Sequence, residues 1–428
     1  MTSALRLLLG LIFAVILVGV ATLHRSVLAL AIPLLAYVFA ALLRRPEALA
    51  LDVRREVTPD YAPQGAPITI RLTITNQGAA IDELAVQDVL PEGVRQIDGQ
   101  AAMVTFLDPH DQVELEYTIA AHRGAYDTYE VEVAARDFMS FFERPASYRT
   151  TPQLIVHPHY PKLERIKIRP PQTRGFAGPI GARQGGSGVD FWGVREYQSG
   201  DPQRQINWKL AARPDQKLYT NIFEQERVAD VGIILDARQR VDVVTTSGSL
   251  FEHSVHAAAA LAENFLEDGN RVSLVIYGSG MGRVFPGYGR HQRERILKAL
   301  SRARPGINYA LENLASLPTR FFPAKSQIVL VSPLSPDDIP VIIRMRALGY
   351  AVMVISPDPI SYEAALYQDF SSPAYHLAFA ERDFMLRQIR RSGAQVLNWR
   401  VDQPLQTAVR EILTRQPPII HVQGGAWA

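Results

Sequence analysis

Two uncharged, mostly apolar runs at the amino terminus, residues 7–23 and 27–43, constrain this chain more than anything that follows them; only His24, Arg25 and Ser26 stand between. Each run is about 17 residues long, near the lower limit for a helix that crosses a hydrocarbon core, and flanking residues can extend both. Together they read as a helical hairpin. A cleaved signal peptide is the competing reading, but a second long apolar run follows at once and Arg6 is the sole charge before the first. Arg6, Arg44, Arg45, Arg54 and Arg55 lie on one side of the hairpin, against Arg25 and His24 in the connecting loop. The bias of positive charge toward the cytoplasm therefore places both termini there. The expectation is a two-pass protein of the inner (cytoplasmic) membrane, residues 1–45 forming the anchor and the soluble domains facing the cytoplasm, with the lipid bilayer as one partner.

Residues 50–157 change to short alternating runs broken by turn residues. In residues 67–75, Ile68, Ile70, Leu72 and Ile74 fall on one face and Thr69, Arg71 and Thr73 on the other, so one face is buried and the other wet. The alternation returns in Val113, Leu115, Tyr117 and Ile119 and in Tyr129, Val131 and Val133. Several such strands within about a hundred residues predict an all-β, immunoglobulin-like sandwich. No clustered histidines or carboxylates mark a site in it, so a spacer or interaction module is expected.

Residues 158–227 read as a connector. Pro170 and Pro171 are followed by glycines at 175, 178, 181, 185, 186 and 188, and no Lys-Ser or Lys-Thr pair completes a phosphate loop. From 228 to 416 apolar strands alternate with amphipathic helices, the pattern of a doubly wound α/β domain. Strands are predicted at 231–235, 272–277, 327–331, 351–355 and 395–399, with a short run at 283–286. Helices are predicted along Phe251, Val255, Ala258, Ala262 and Phe265 and at 292–302, 339–348, 382–391 and 405–414.

The charge balance, 45 lysines and arginines against 43 acids, leaves too little excess for a general attraction to nucleic acid. Cysteine is absent, which removes disulfides, thiolate metal sites and a cysteine nucleophile. No serine stands in a G-x-S-x-G setting. His253 and His256, and His157 and His159, lack a third ligand and are expected to be surface or packing residues. Gly278, Gly280 and Gly282 fit a hairpin turn better than a dinucleotide loop, because a short strand follows them.

In an open parallel sheet, ligands sit beyond the carboxyl ends of the strands, which singles out Asp236. A strand ending in aspartate, a long helix and an antiparallel edge pair resemble a von Willebrand factor A domain, whose metal site uses Asp-x-Ser-x-Ser with a later threonine and aspartate. Here Arg238 and Arg240 replace the serines, Ile307 or Asn308 replaces the threonine in the 305–311 loop, and Pro333 replaces the aspartate in 330–334. A hard cation wants oxygen donors and is repelled by guanidinium. The resemblance therefore implies a degenerate site at Asp236 with no metal and no cofactor, the carboxylate pairing with a nearby arginine or capping the following turn.

The run 193–213, GVREYQSGDPQRQINWKLAAR, is the most distinctive in the chain. It closely resembles the signature of the domain of unknown function 58 family through Arg195, Glu196, Tyr197, Gly200, Asp201, Arg204, Ile206, Trp208, Lys209, Ala212 and Arg213. Residues 218–226 fit that family's entry into the first strand of the α/β domain. The mixture of arginine, acid and aromatic groups suits salt bridges and cation–π stacking, with Trp208 placed to shield Arg204 or Arg213. Glu196, Asp201 and Asp215 interrupt any stripe that could track a nucleic-acid backbone. The resemblance implies a membrane-anchored, non-catalytic adaptor partnered by a MoxR-type AAA+ ATPase and other A-domain proteins. It would dock through 193–227 and the crest around Asp236. The different-class alternatives are a hydrolase using Asp201 or Asp236 as base, and an outward-facing metal-dependent adhesin.

Overall fold

The computed structural model describes residues 3–414 except 44–47, 138–139, 167, 169, 171–179, 213–216, 247, 279, 312–313, 315–320 and 368–369. The chain divides into two compact units, residues 1–157 and 158–428. In the first, the apolar runs are the helices α1 (Ser3–Thr22), α2 (Arg25–Ala29) and α3 (Ala31–Leu43). Pro33 has no N–H to give to the carbonyl of Ala29, which accounts for the interruption between α2 and α3. The spans Ala4–Thr22 and Arg25–Leu43 are 19 residues each, long and apolar enough to cross a membrane, and fit a membrane hairpin. Thr22 satisfies its hydroxyl on the Val18 carbonyl at 2.7 Å. A Cβ on Gly19 would lie 2.8 Å from Leu28 Cγ, so glycine is what lets α2 approach α1.

The rest of this unit is β structure. Strands β1 (Leu51–Thr58), β2 (Tyr61–Pro63), β3 (Ile68–Asn76), β4 (Ile81–Val89), β5 (Val94–Gly99) and β6 (Ala102–Leu107) are followed by β7 (Gln112–Ala121), β8 (Gly124–Tyr126), β9 (Tyr129–Arg136), β10 (Glu143–Thr150) and β11 (Leu154–His157). They form two four-stranded antiparallel sheets, β1-β3-β7-β5 and β10-β9-β4-β6, and a small third one, β2-β11-β8. The period-two faces meet in one core: Ile68, Ile70, Leu72 and Ile74 from one sheet pack with Leu84, Val86, Val131 and Val133 from the other. Within that core Arg55 pairs with Asp88, which also accepts from Tyr117 Oη, while the Arg55 guanidinium lies 4.4 Å from the Tyr129 ring centroid. This buried link ties β1 and β7 of one sheet to β4 of the other.

In the second unit, the stretch read as a connector contains a two-stranded antiparallel sheet of β12 (Ile180–Glu196) and β13 (Tyr219–Arg227), with α4 (Trp208–Ala211) between them. The glycines at 181, 185, 186 and 188 fall inside β12, and the pairing register shifts between Gly181/Gly185 and Gly186/Phe191. Glycines that look like a loop in sequence mark bulges in a strand here.

The α/β fold follows. Its elements are β14 (Asp230–Ala237), a pair of two-residue strands β15 (Val244–Thr245) and β16 (Gly248–Ser249), and α5 (Leu250–Glu267); then β17 (Arg271–Gly278), β18 (Met281–Gly287) and α6 (Gly289–Arg302). The chain continues through β19 (Gln327–Val331), α7 (Ile339–Ala347), β20 (Ala351–Pro357), α8 (Pro359–Tyr367), α9 (Pro373–Arg391), β21 (Gln395–Trp399) and α10 (Leu405–Thr414). The six-stranded sheet runs β18-β17-β14-β19-β20-β21, parallel except for β18. Every residue of β14 is buried, as a strand covered on both faces requires. Val231, Ile233 and Leu235 meet α5, α6 and α10 on one face, and Ile234 joins α7 and α9 on the other. A Cβ on Gly232 would lie 2.3 Å from Phe322 Cδ1, so the missing side chain makes room for that ring. Helix α9 starts nine residues before the predicted 382, because its first half is solvent-facing, with Leu377 63% exposed, and lacks the apolar period. The Ser372 cap with Pro373 after it was the available signal.

Candidate functional site

Counted from β14, the sheet order is 3-2-1-4-5-6, and the connections reverse direction between β14 and β19. That reversal opens a crevice at the carboxyl ends of the two strands. Asp236 stands there, at the end of β14, 1% exposed. Its partner is Arg238: Nε reaches Asp236 Oδ1 at 2.8 Å and Nη2 reaches Oδ2 at 2.6 Å, while the Arg238 backbone N–H donates to Oδ1 at 3.1 Å. Both roles foreseen for Asp236, pairing with arginine and capping the turn, are thus present. Ser332, just after β19, donates its hydroxyl to Oδ2 at 2.6 Å.

The same guanidinium holds a second carboxylate. Arg238 Nη1 and Nη2 donate to Asp338 Oδ1 and Oδ2 at 3.0 and 2.8 Å, and all three side chains are buried. Burial works against the Arg238 charge, but hydrogen bonds and attraction from Asp236 and Asp338 outweigh it and raise its pKa above the ordinary arginine value. Asp338 also accepts the Ser335 N–H at 2.9 Å, the reciprocal cap that opens the turn before α7. Asp338 and Ser332 stand in no recognisable site motif; the Ser335-Pro336-Asp337-Asp338 capping pattern is their one legible trace in the sequence.

These residues do not suit a hard cation. The oxygens of Asp236 are occupied by guanidinium, amide and hydroxyl donors, and the first expected serine position is Arg238 itself. Arg240, at the second, points to Asp337 at 3.2 Å. In the 305–311 loop, Gly306 bridges to Arg238, and Ile307 and Tyr309 face solvent. Pro333 supplies its carbonyl, which accepts from Arg382 Nη1 at 2.8 Å. Arg382 also bonds Ser356 Oγ, the Pro357 carbonyl and Asn398 Oδ1, and pairs with Asp358 at 3.2 Å. Burial pushes its pKa down to about 10, against the opposing pull of Asp358. A chain of buried polar groups therefore runs along the carboxyl ends of β14, β19, β20 and β21.

The signature segment is built differently. Asp201 accepts from Arg195 Nη2 at 2.6 Å, from the Gln198 N–H at 3.0 Å and from Thr220 Oγ1 at 3.2 Å. The Arg195 hydrogen bond, helped by that of Gln198, holds the carboxyl below the usual aspartate range. Lys217 bonds Glu196 at 2.6 Å, and Asn207 caps α4 on the Leu210 N–H. Trp208 and Arg204 are both exposed and, among the described residues, form no cation–π contact, so the shielding expected of Trp208 does not occur with Arg204; Arg213 lies outside the described residues. The segment starts α4 at Trp208, whose side chain is left exposed. Tyr197 bonds the Leu218 carbonyl through its backbone N–H, and Lys209 is exposed.

His253 packs edge-on against Tyr362 and Trp399, and burial lowers its pKa. His157 lies against Tyr61, and Gly278 and Gly280 form the turn between β17 and β18. Residues 193–357 match the model of the family described as "Protein of unknown function DUF58". The uncharacterized protein YeaD of Bacillus subtilis is 27% identical over 264 residues, 59% of this chain and 63% of the relative, so the match spans under two thirds of that protein. The uncharacterized protein Rv1480 of Mycobacterium tuberculosis is 24% identical over 266 residues, 54% of this chain and 81% of the relative. Among solved structures, part of Escherichia coli alpha-2-macroglobulin matches 31% of this chain and 21% of its own at 19% identity, with a TM-score of 0.21. A FixG-related protein of Vibrio parahaemolyticus matches 26% of this chain and 98% of its own at 13% identity, with a TM-score of 0.17.

Proposed function

We propose that this chain, which belongs to the DUF58 family through residues 193–357, is a membrane-tethered, non-catalytic adaptor that docks protein partners. One observation carries the non-catalytic part: Asp236 and Asp201, the two carboxylates with a claim to chemistry, are each held by an arginine and further donors. A general base working near neutral pH needs a raised pKa and access to a substrate proton. Asp236 is buried, and Asp201 is shifted the wrong way. The adhesin alternative loses its metal to the same Arg238.

The finer architecture belongs to the proposal too. Two four-stranded sheets over one core agree with an immunoglobulin-like sandwich, and the 3-2-1-4-5-6 order with an antiparallel third strand agrees with a von Willebrand factor A-like domain. The proposed docking face is the signature segment, where Phe191, Trp192, Trp208 and Leu218 are exposed, as are Arg204 and Lys209. Exposed aromatics next to arginine are the composition of interface hot spots. The proposed partner is a MoxR-type AAA+ ATPase, and the proposed orientation is cytoplasmic. Since the chain has no cysteine, single cysteines placed in the soluble units report sidedness directly, and labelling by an impermeant maleimide in intact cells would refute that orientation.

The partner test is recovery of the ATPase with detergent-solubilised protein, comparing wild type with a folded Arg204→Ala, Trp208→Ala variant. ATP-sensitive recovery lost in the variant supports the adaptor reading and locates its face. No recovery in any nucleotide state removes the ATPase as partner.

A further inference from the structure

The buried crest at the switch point gathers two carboxylates and a hydroxyl around one guanidinium. Asp236 arrives at the end of β14, Ser332 after β19, and Ser335 and Asp338 before α7. Their carboxylates and hydroxyls are the oxygen donors that hard divalent cations take. Into their midst Arg238 places a guanidinium with bonds of 2.6–3.0 Å to both acids, its side chain 3% exposed and theirs fully buried. Two buried carboxylates this close would repel each other and lose their solvation without a positive charge between them. Arg240 reaches only the edge of this group: Nη1 pairs with Asp337 at 3.2 Å and Nη2 bonds Ser335 Oγ at 3.3 Å, while the positive charge on both buried acids is that of Arg238.

We propose that Arg238 is a tethered substitute for a divalent cation: it clasps the β14 loop to the turn before α7 without any metal, and the oxygens around it can take a divalent cation once the guanidinium is removed. A guanidinium that merely fills space would leave no such capacity behind.

The test uses the full chain in detergent, following the melting of the α/β unit with and without millimolar Mg²⁺ or Mn²⁺, and Mn²⁺ binding by electron paramagnetic resonance. Wild type is expected to be indifferent to EDTA and to either cation. Arg238→Ala should melt about 10 °C lower, and a saturating cation should restore about half of that loss, with Mn²⁺ bound only by the variant. Adding Asp338→Asn should abolish the rescue. Arg238→Lys, which keeps the charge and loses the fork, should melt lower than wild type and remain cation-insensitive. If Arg238→Ala folds only when refolded with cation, the proposal stands. It is overturned if the cations raise Arg238→Ala no more than wild type, if rescue survives Asp338→Asn, if Arg238→Lys responds as strongly as Arg238→Ala, or if Arg238→Ala folds under no cation tried.

Discussion

The crest of the α/β unit and the signature segment are both clusters of arginine and aspartate, yet they are opposite solutions. At the crest, Arg238 and Arg382 are buried and each is bonded by groups from several strands and loops far apart in sequence. In the signature segment, Arg195 with Asp201 and Lys217 with Glu196 lie near the end of β12 and the start of β13, six and 21 residues apart, and all but Asp201 are substantially solvent-exposed. Removing one member of a buried pair strands its partner without water, whereas an exposed pair is rehydrated at little cost. Distinctive sequence and structural consequence are thus separated in this molecule: the run that resembles the family signature leaves Trp208 outside, and the buried network at the crest is made of residues without a motif.

The contrast predicts unequal damage. Arg382→Met should be the most harmful of these substitutions, about 3–5 kcal/mol, because it leaves the buried Asp358 carboxylate without its countercharge, held only by the Ser361 hydroxyl and the Ile360 N–H. Chemical denaturation of the α/β unit measures it, and a cost below about 1 kcal/mol would erase the distinction between the regions. Ser332→Ala removes one hydroxyl from the Asp236 carboxylate and should cost about 1.5–3 kcal/mol by the same measurement. Asp201→Asn should leave global stability nearly unchanged and instead speed proteolysis between β12 and β13. The sign of its pH dependence is fixed. Its folded pKa is depressed, so the contribution is complete above the ordinary aspartate value of 3.8 and fades as pH falls through the lower folded value. Tryptophan emission should report that acid transition in the segment holding Trp192 and Trp208, and Asp201→Asn should remove it. A transition unchanged in Asp201→Asn would show that another group staples the turn.

The sandwich offers a second version of the buried solution. Asp88 has its pKa raised by burial despite Arg55 and Tyr117, and burial raises that of Tyr117 as well. Nothing in the β pattern announced this link, since Arg55 was legible only as a positive charge after the hairpin. The alternation did announce the core around it: Ile68, Ile70, Leu72 and Ile74 are all essentially inaccessible.

What the sequence determined by itself is whatever depends on local order along the chain. Apolar length made the two membrane-length helical spans, period two made the sandwich core, buried runs such as β14 made the parallel sheet, and the 193–213 run lies at the start of the residues that match the family model. Tertiary structure alone decided which of the many arginines and aspartates meet. The crest joins residues far apart in the chain: 238 with 338 and 236 with 332, about a hundred positions apart, and Arg382 with the Pro333 carbonyl, 49 apart. No spacing rule connects such positions, because they are brought together by the strand order of the sheet, which sets β19 beside β14. Even the glycines of 181–188 took their meaning from pairing, since a bulge exists only where there is a partner strand to slip against.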